Sequence, residues 1–238
     1  MIKMKVNLFE LPLISAEPVV HDKITGLESS FKKTVSAMQE IKKQKGKLAV
    51  VVVMTKESIK TIRETIELAI ALGADSILLN RVNIGGSCLN DFSNIMPIVE
   101  DLEKAFQIAD SLSSEYEIPI NAGVPVQPCL INTSKYKNIN FGYCQTGREN
   151  PYYAVDCSGN IRPCNHSSIV LGNILENSLE EILNSSLLKN FEKAHPVECK
   201  NCKMVFNCQG GCKAAAEAFF GNPNKMDPFL KINWRGIL

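Results

Sequence analysis

The sequence predicts an α/β chain: a partial parallel (β/α) half-barrel over residues 1–124, then a small cysteine-rich α+β domain over residues 125–238. Three observations predict it. Short apolar runs alternate with helix-periodic segments as far as Ala122, and successive strand–helix–strand units with right-handed crossovers build a parallel sheet with helices on one face. Three such units amount to about half a barrel. Pro125 and Pro128 then break the pattern, and seven of the nine cysteines crowd between Cys144 and Cys212.

Taken in order, residues 4–11 (Met-Lys-Val-Asn-Leu-Phe-Glu-Leu) read as a strand, followed by a loop broken by Pro12 and Pro18. A helix follows, with Ser29 or Ser30 as its cap, Phe31, Val35, Met38 and Ile41 at helical spacing, and Gly46 as its stop. Leu48 to Met54 is a continuous valine-rich run, which suits a parallel strand covered on both faces. The next helix carries Ile59, Ile62, Ile66, Ala69 and Ile70 on one face and ends at Gly73. Ser76 to Val82 supplies another strand. A helix with Pro97 near its start and Ile98, Leu102, Ala105, Phe106 and Ala109 on one face leads to strand-like Ile118 to Ala122.

In the second domain, Tyr152 to Asp156 and Ile161 to Arg162 alternate as strands around Ser158-Gly159, a hairpin that returns Cys164 toward Cys144. Ser178 with Glu181 three residues on forms a capping box. Leu179, Ile182, Leu183 and Leu187 give the helix it opens an apolar side. Phe229, Trp234 and the methionines show no cofactor pattern and read as core or tail packing.

Composition restricts the function classes. At 238 residues and 45% apolar content the chain can bury one or two cores, and a formal charge of +1 gives no electrostatic case for nucleic acid. No charged-plus-apolar leader opens the sequence and no apolar run approaches about 18 residues, so neither secretion nor membrane spanning is expected. Nine cysteines in that setting point to a reducing compartment, the cytoplasm, where thiols serve metals more often than disulfides.

The cysteines form two blocks: Cys144-x14-Gly159-x4-Cys164, then Cys199-x2-Cys202-x5-Cys208-x3-Cys212. A Cys-x2-Cys pair lets two sulfurs face one centre across a tight turn, and residues four apart share a helical face. Thiolates at these spacings suit zinc or an iron-sulfur cluster, and spacing alone does not choose between them. Cys88 and Cys157 read as free thiols. His166, just after Cys164, is placed to hydrogen-bond a metal-bound sulfur or to sit on the surface.

These blocks, with Tyr153-Ala-Val-Asp-Cys-Ser-Gly-Asn-Ile-Arg-Pro-Cys164, Leu171-Gly-Asn-Ile174, Ser178-Leu-Glu-Glu-Ile182 and Cys208-Gln-Gly-Gly-Cys212, resemble the SPASM domain, the auxiliary iron-sulfur domain of many radical SAM enzymes. The resemblance extends through Val19-Val-His-Asp-Lys-Ile-Thr-Gly26 and so covers nearly the whole chain. It implies that residues 1–124 match the fourth to sixth strand–helix units of a six-unit partial barrel. The family's Cys-x3-Cys-x2-Cys loop, whose cluster binds S-adenosylmethionine, does not occur among these 238 residues.

Carried over by position, Cys144, Cys164 and Cys212 would hold one auxiliary 4Fe-4S cluster and Cys199, Cys202 and Cys208 another, so one or two clusters are expected. Each set lacks a fourth ligand. Cys129 is expected to complete the first. The family's last cysteine is replaced in Asp227-Pro-Phe-Leu230 by Leu230, which leaves Asp227, water or a substrate group for an open iron. Contacts to S-adenosylmethionine fall by position on Asn7 and on Arg81 to Gly86, in particular Arg81, Gly85 and Gly86, although a Gly-Gly pair is also an ordinary turn. His21 and Asp22 read as structural.

The implied function is the C-terminal part of a radical SAM/SPASM enzyme that modifies a peptide or protein. S-adenosylmethionine would bind only once the missing N-terminal half-barrel, from a split or truncated gene, is supplied. Two alternatives use the same cysteines: a non-catalytic iron-sulfur module that binds a partner or leader peptide, and a zinc-stapled structural domain.

Overall fold

Five parallel strands, ordered in space as in sequence, form the sheet of the first unit of the computed structural model, which describes residues 6–149 and 151–233. Phe9–Pro12 (β1) pairs with Leu48–Met54 (β2), β2 with Ser76–Arg81 (β3), β3 with Ile120–Ala122 (β4), and β4 with Ile139–Phe141 (β5). The register sets Phe9 opposite Leu48, Ala49 opposite Ser76, Ile77 opposite Ile120, and Ile120 opposite Ile139. Leu48, Val50 and Met54 are fully buried, as a β-branched run covered on both faces requires.

The first strand is shorter than its apolar run predicts. Pairing starts at Phe9, Val6 and Leu8 stay exposed, and Met4 and Lys5 lie outside the described residues. The segment after β1 is partly helical where the sequence predicts a loop. Pro18–Thr25 forms α1, because proline fits the first helical turn, where its missing N–H has no partner to lose. Gly26, at φ 67°, closes α1 in the left-handed conformation. His21 is buried on it and its Nδ1 accepts the Ile14 N–H at 3.2 Å. Burial lowers its pKa, against the raising effect of Asp22, so the ring is a neutral structural acceptor.

The cap of Ser30–Lys43 (α2) also departs from expectation. Neither Ser29 nor Ser30 caps with its own side chain; Asp22 does so from α1. Its carboxylate accepts the Phe31 N–H at 2.7 Å, the Ser29 N–H at 2.6 Å and the Ser30 hydroxyl at 2.8 Å. At the far end Lys45 takes the left-handed turn at φ 59°, in place of Gly46.

A 3₁₀ turn at Ser58–Thr61 leads into Ile62–Ala71 (α3), which buries Ile62, Ile66 and Ala69. Short Phe92–Ile95 (α4) precedes Val99–Tyr116 (α5), which buries Leu102, Ala105, Phe106, Ala109 and Leu112. After β4 the chain does not leave the sheet at the proline break. Residues 131–142 pack within the first unit, where Phe141 of β5 meets Phe106 at a ring separation of 5.0 Å. Residues 83–92 and 127–130 belong instead to the second unit, with 143–238.

In that second unit Ala154–Val155 (β6), Asn160–Arg162 (β7) and Gly172–Asn173 (β8) form an antiparallel meander. Gly159 turns the hairpin at φ 84°, and a Cβ there would stand 2.9 Å from the Asn173 side chain. Asp156 ties the hairpin together by accepting from the Ser158 and Asn160 amides and from the Asn160 and Arg162 side chains. The capping box forms at Ser178 and Glu181 as the sequence predicts. The helix behind it is two, Leu179–Leu183 (α6) and Ser186–Lys193 (α7), because Ser185 starts a second cap on the Leu188 N–H. Leu188, not Leu187, therefore joins Ile161, Leu171 and Ile182 in the core. Val205–Cys208 (α8), Lys213–Phe220 (α9) and Pro228–Asn233 (α10) complete the unit. Phe229 packs in its core, as expected, while Trp234 lies outside the described residues. Among the described residues no helix is long and apolar enough to cross a membrane.

The Asp22 cap carries a pH signature. Its hydrogen bond from the Phe31 amide is the largest cause of a folded pKa below the ordinary 3.8, so its contribution to stability is complete above that value and is lost as pH falls through the folded one. Asp22→Ala should lower the melting temperature at neutral pH, and the gap to wild type should narrow below about pH 4. Paired thermal melts across pH 2.5–7 check this; a gap independent of pH would contradict the cap.

Candidate metal centre

The loop that carries the cysteines is shaped by three consecutive left-handed residues after α8: Gln209 (φ 51°), Gly210 (φ 81°) and Gly211 (φ 99°). The two glycines are sterically required. A Cβ on Gly210 would stand 2.3 Å from Pro196 Cδ, and one on Gly211 would stand 2.0 Å from Gln127 Nε2 and 2.7 Å from Asp227 Oδ2. Before this loop the chain turns twice, with Cys202 N–H donating to Cys199 O at 3.0 Å and Val205 N–H to Cys202 O at 3.0 Å.

One carboxylate fixes the loop from beneath. Asp227 is fully buried; its Oδ2 accepts from Gln127 Nε2 at 2.9 Å and from the Cys212 N–H at 2.8 Å, while Oδ1 accepts the Phe229 N–H at 3.0 Å. Asp227, one of the candidates the sequence offers for an open iron position, thus accepts at both oxygens from a side-chain amide and two backbone amides. Leu230 beside it is buried at 1% exposure.

The thiols fall into two groups. Cys129 interacts electrostatically with Cys202, Cys199 with both Cys202 and Cys129, and Cys208 with both Cys129 and Cys199. Cys144 faces Cys164, and the Tyr152 hydroxyl senses Cys164, Cys144 and Cys212 together. Cys129 is thus within electrostatic reach of Cys199, Cys202 and Cys208, whereas its position in the sequence suggests the first set. It gets there because residues 127–130, in the connection between β4 and β5, belong to the second unit and are anchored through Gln127.

Desolvation is the largest cause of raised pKa values at Cys164, Cys199, Cys208 and also Cys129, whose thiol is shielded from part of the solvent although the residue is exposed, and neighbouring thiolates add to it; Cys208 is pushed up to about 11. Backbone amides act in the opposite direction, those of Gly210 and Gly211 on Cys208 and those of His166 and Ser167 on Cys164. The amide of His166 faces the sulfur. Such a site holds its thiols protonated until a cationic centre displaces the protons. Among the described residues no three His, Cys, Asp or Glu side chains converge as on a single ion. Two separate groups of thiols with amides aimed at sulfur fit the donor chemistry of iron-sulfur centres, which take one thiolate per iron.

Several neighbours carry no sequence signal. Asn83 Nδ2 donates to Cys212 Sγ at 3.3 Å, and buried Lys213 bonds Glu192 O and lies within electrostatic reach of Cys144. Arg148 donates from Nε to Cys144 O at 2.9 Å and bonds Asn207 O, tying the first cysteine block to the second.

The residues expected to contact S-adenosylmethionine divide between the units, Asn7 and Arg81 in the first and Gly85 and Gly86 in the second. Asn7 is exposed ahead of β1, at the N-terminal end of the strand, whereas ligand sites of parallel sheets open at the C-terminal ends. Arg81 ends β3 but is 1% exposed, and its Nε donates to Pro125 O at 2.9 Å. A Cβ on Gly85 or Gly86 would meet nothing within 4 Å, and Gly86 at φ 55° makes a turn. All nine cysteines, Cys88 and Cys157 among them, are free of disulfides.

Residues 144–209 match SPASM, an iron-sulfur cluster-binding domain. The chain is 24% identical over 226 residues to the PqqA peptide cyclase of Ruegeria pomeroyi, covering 92% of this chain and 59% of that protein. It resembles the structure of anSMEcpe with bound AdoMet and Kp18Cys peptide at a TM-score of 0.64 and 14% identity, covering 94% of this chain and 64% of that one. Streptococcus suis SuiB bound to precursor peptide SuiA gives a TM-score of 0.64 at 16% identity, covering 92% and 52%. The chain thus resembles radical SAM/SPASM proteins and has the fold of a partial radical SAM barrel, and it spans 52–64% of the length of these three.

Gly211→Ala tests the loop. Its Cβ must displace Gln127 or Asp227 at a left-handed position, which should cost about 2–4 kcal/mol. A clear fall in urea midpoint, with less metal retained after purification, is expected; wild-type values for both would contradict the packing argument.

Proposed function

We propose that these 238 residues carry the auxiliary iron-sulfur part of a radical SAM/SPASM enzyme that modifies a peptide. The observation that carries this reading is the pair of thiol groups, of which Cys144, Cys164, Cys199, Cys202 and Cys208 lie on the segment that matches an iron-sulfur cluster-binding domain. The peptide named with the cyclase relative and those bound in the two solved structures support a peptide as the substrate class.

In this reading Cys144, Cys164 and Cys212 hold one cluster and Cys199, Cys202 and Cys208 belong to a second. Bound clusters would supply one-electron transfer beside the substrate. The residues of the chain set the conditions. The amides of His166, Ser167, Gly210 and Gly211 stabilise anionic sulfur, and Tyr152, 54% exposed beside the first thiol group, offers a ring and a hydroxyl to an incoming peptide.

Cleavage of S-adenosylmethionine needs a three-cysteine loop that is not among these residues, so we assign that step to residues outside them, on a longer chain or a partner polypeptide. Within the described residues β1 is an edge strand paired only to β2, and further strands of a barrel would add there.

Anaerobically purified protein should be brown and contain iron and acid-labile sulfide. Cys164→Ala and Cys202→Ala should each lose a substantial part of that iron, while Cys88→Ala keeps it. Incubated alone with S-adenosylmethionine and reductant, the 238-residue chain should form no 5'-deoxyadenosine. A colourless protein loaded with zinc, or equal iron in all the variants, would overturn the reading.

A further inference from the structure

Three thiols leave one corner of a four-iron cluster without a protein ligand. The position where the resemblance expects a last cysteine is Leu230, a buried aliphatic side chain, and the carboxylate beside it is held by Gln127 and the amides of Cys212 and Phe229. A different part of the chain supplies a thiol. The turn closed by Leu130 N–H on Gln127 O at 2.9 Å is anchored by Gln127, whose Nε2 shares the Asp227 oxygen that also holds Cys212. Gln127 is fully buried and lies so close to Gly211 that no side chain fits between them. Cys129 is carried on this turn, exposed and outside any helix or strand, within electrostatic reach of Cys199, Cys202 and Cys208.

Resting on the iron-sulfur reading above, we infer that Cys129 is the fourth thiolate ligand of the cluster held by Cys199, Cys202 and Cys208, replacing from upstream the ligand that Leu230 cannot provide. The donor set then becomes four cysteines, three from the turns before Gly210-Gly211 and one from the connection between β4 and β5. Such a set leaves no open iron on that cluster. Coordination replaces four S–H protons by iron, with the protons released to solvent.

The assignment is tested on the full chain, reconstituted anaerobically, by iron and sulfide content and by electron paramagnetic resonance of the reduced protein. Cys129→Ala should lose up to about half of the iron if both sets are filled, or turn one cluster into a three-iron form. The double variant with Cys202→Ala should lose no more than Cys202→Ala alone, whereas the double variant with Cys164→Ala should lose both clusters. Cys129→Ser, which keeps size and offers an oxygen ligand, should retain iron with shifted g values, and this separates ligation from misfolding. Cys157→Ala, an exposed thiol outside both groups, should match wild type. If wild type is iron-loaded and Cys129→Ala leaves iron, sulfide and spectrum unchanged, or if its loss overlaps with that of Cys164→Ala, the assignment is overturned while the iron-sulfur reading stands. A wild-type chain without iron or sulfide overturns both.

Discussion

The buried carboxylate of Asp227 is the constraint on which the cysteine loop depends. A carboxylate with no solvent exposure is costly unless each oxygen is hydrogen-bonded, and here a side-chain amide and two backbone amides perform that task. Its three partners come from distant parts of the sequence, Gln127, Cys212 and Phe229, so satisfying one buried charge gathers three segments. The strain of the left-handed run Gln209-Gly210-Gly211 is tolerated because this network over-determines it, and only glycine fits where the segments meet. Asp227 thereby fixes the backbone that carries Cys212.

Electrostatics gives the same loop a second character. Buried thiols with neighbouring thiolates resist ionisation, as the raised pKa of Cys208 shows, while amides of Gly210, Gly211, His166 and Ser167 point at sulfur and favour the anion. The two tendencies conflict in the metal-free chain. A cationic centre resolves them, since it removes the repulsion and leaves the amides as favourable partners of metal-bound sulfur. Metal affinity and local stability are in this way one quantity, and both should fall as pH drops and protons compete for the thiolates.

Much of this was legible in the residues. The valine run of β2, the helical spacing of Phe106 and Ala109, the hairpin at Gly159 and the capping box of Ser178 and Glu181 each follow from local rules, and each stands where those rules put it. What was not legible depends on partners far away in sequence. Asp22 caps α2 from another helix, β5 is a three-residue strand that exists because β4 offers it an edge, and Ser185 divides a helix whose apolar spacing alone reads as continuous. The six patterned cysteines were visible by spacing. The company Cys129 keeps was not, because it depends on Gln127, a neutral residue with no motif, finding Asp227 a hundred residues later.

That long reach has an energetic consequence. Bringing residue 129 to residues 199–208 closes a loop of about seventy residues, and the entropy cost of closure rises only slowly with length. The Gln127–Asp227 bond already meets part of that cost in the metal-free chain, because Asp227 also holds the amide of Cys212, four residues after Cys208. A metal ligand delivered by a turn so anchored binds with less ordering to do than a ligand on a free tail would require. In the assignment proposed for Cys129, α10 has no ligating duty, and its Phe229 and Leu230 pack in the core, where both are almost completely buried.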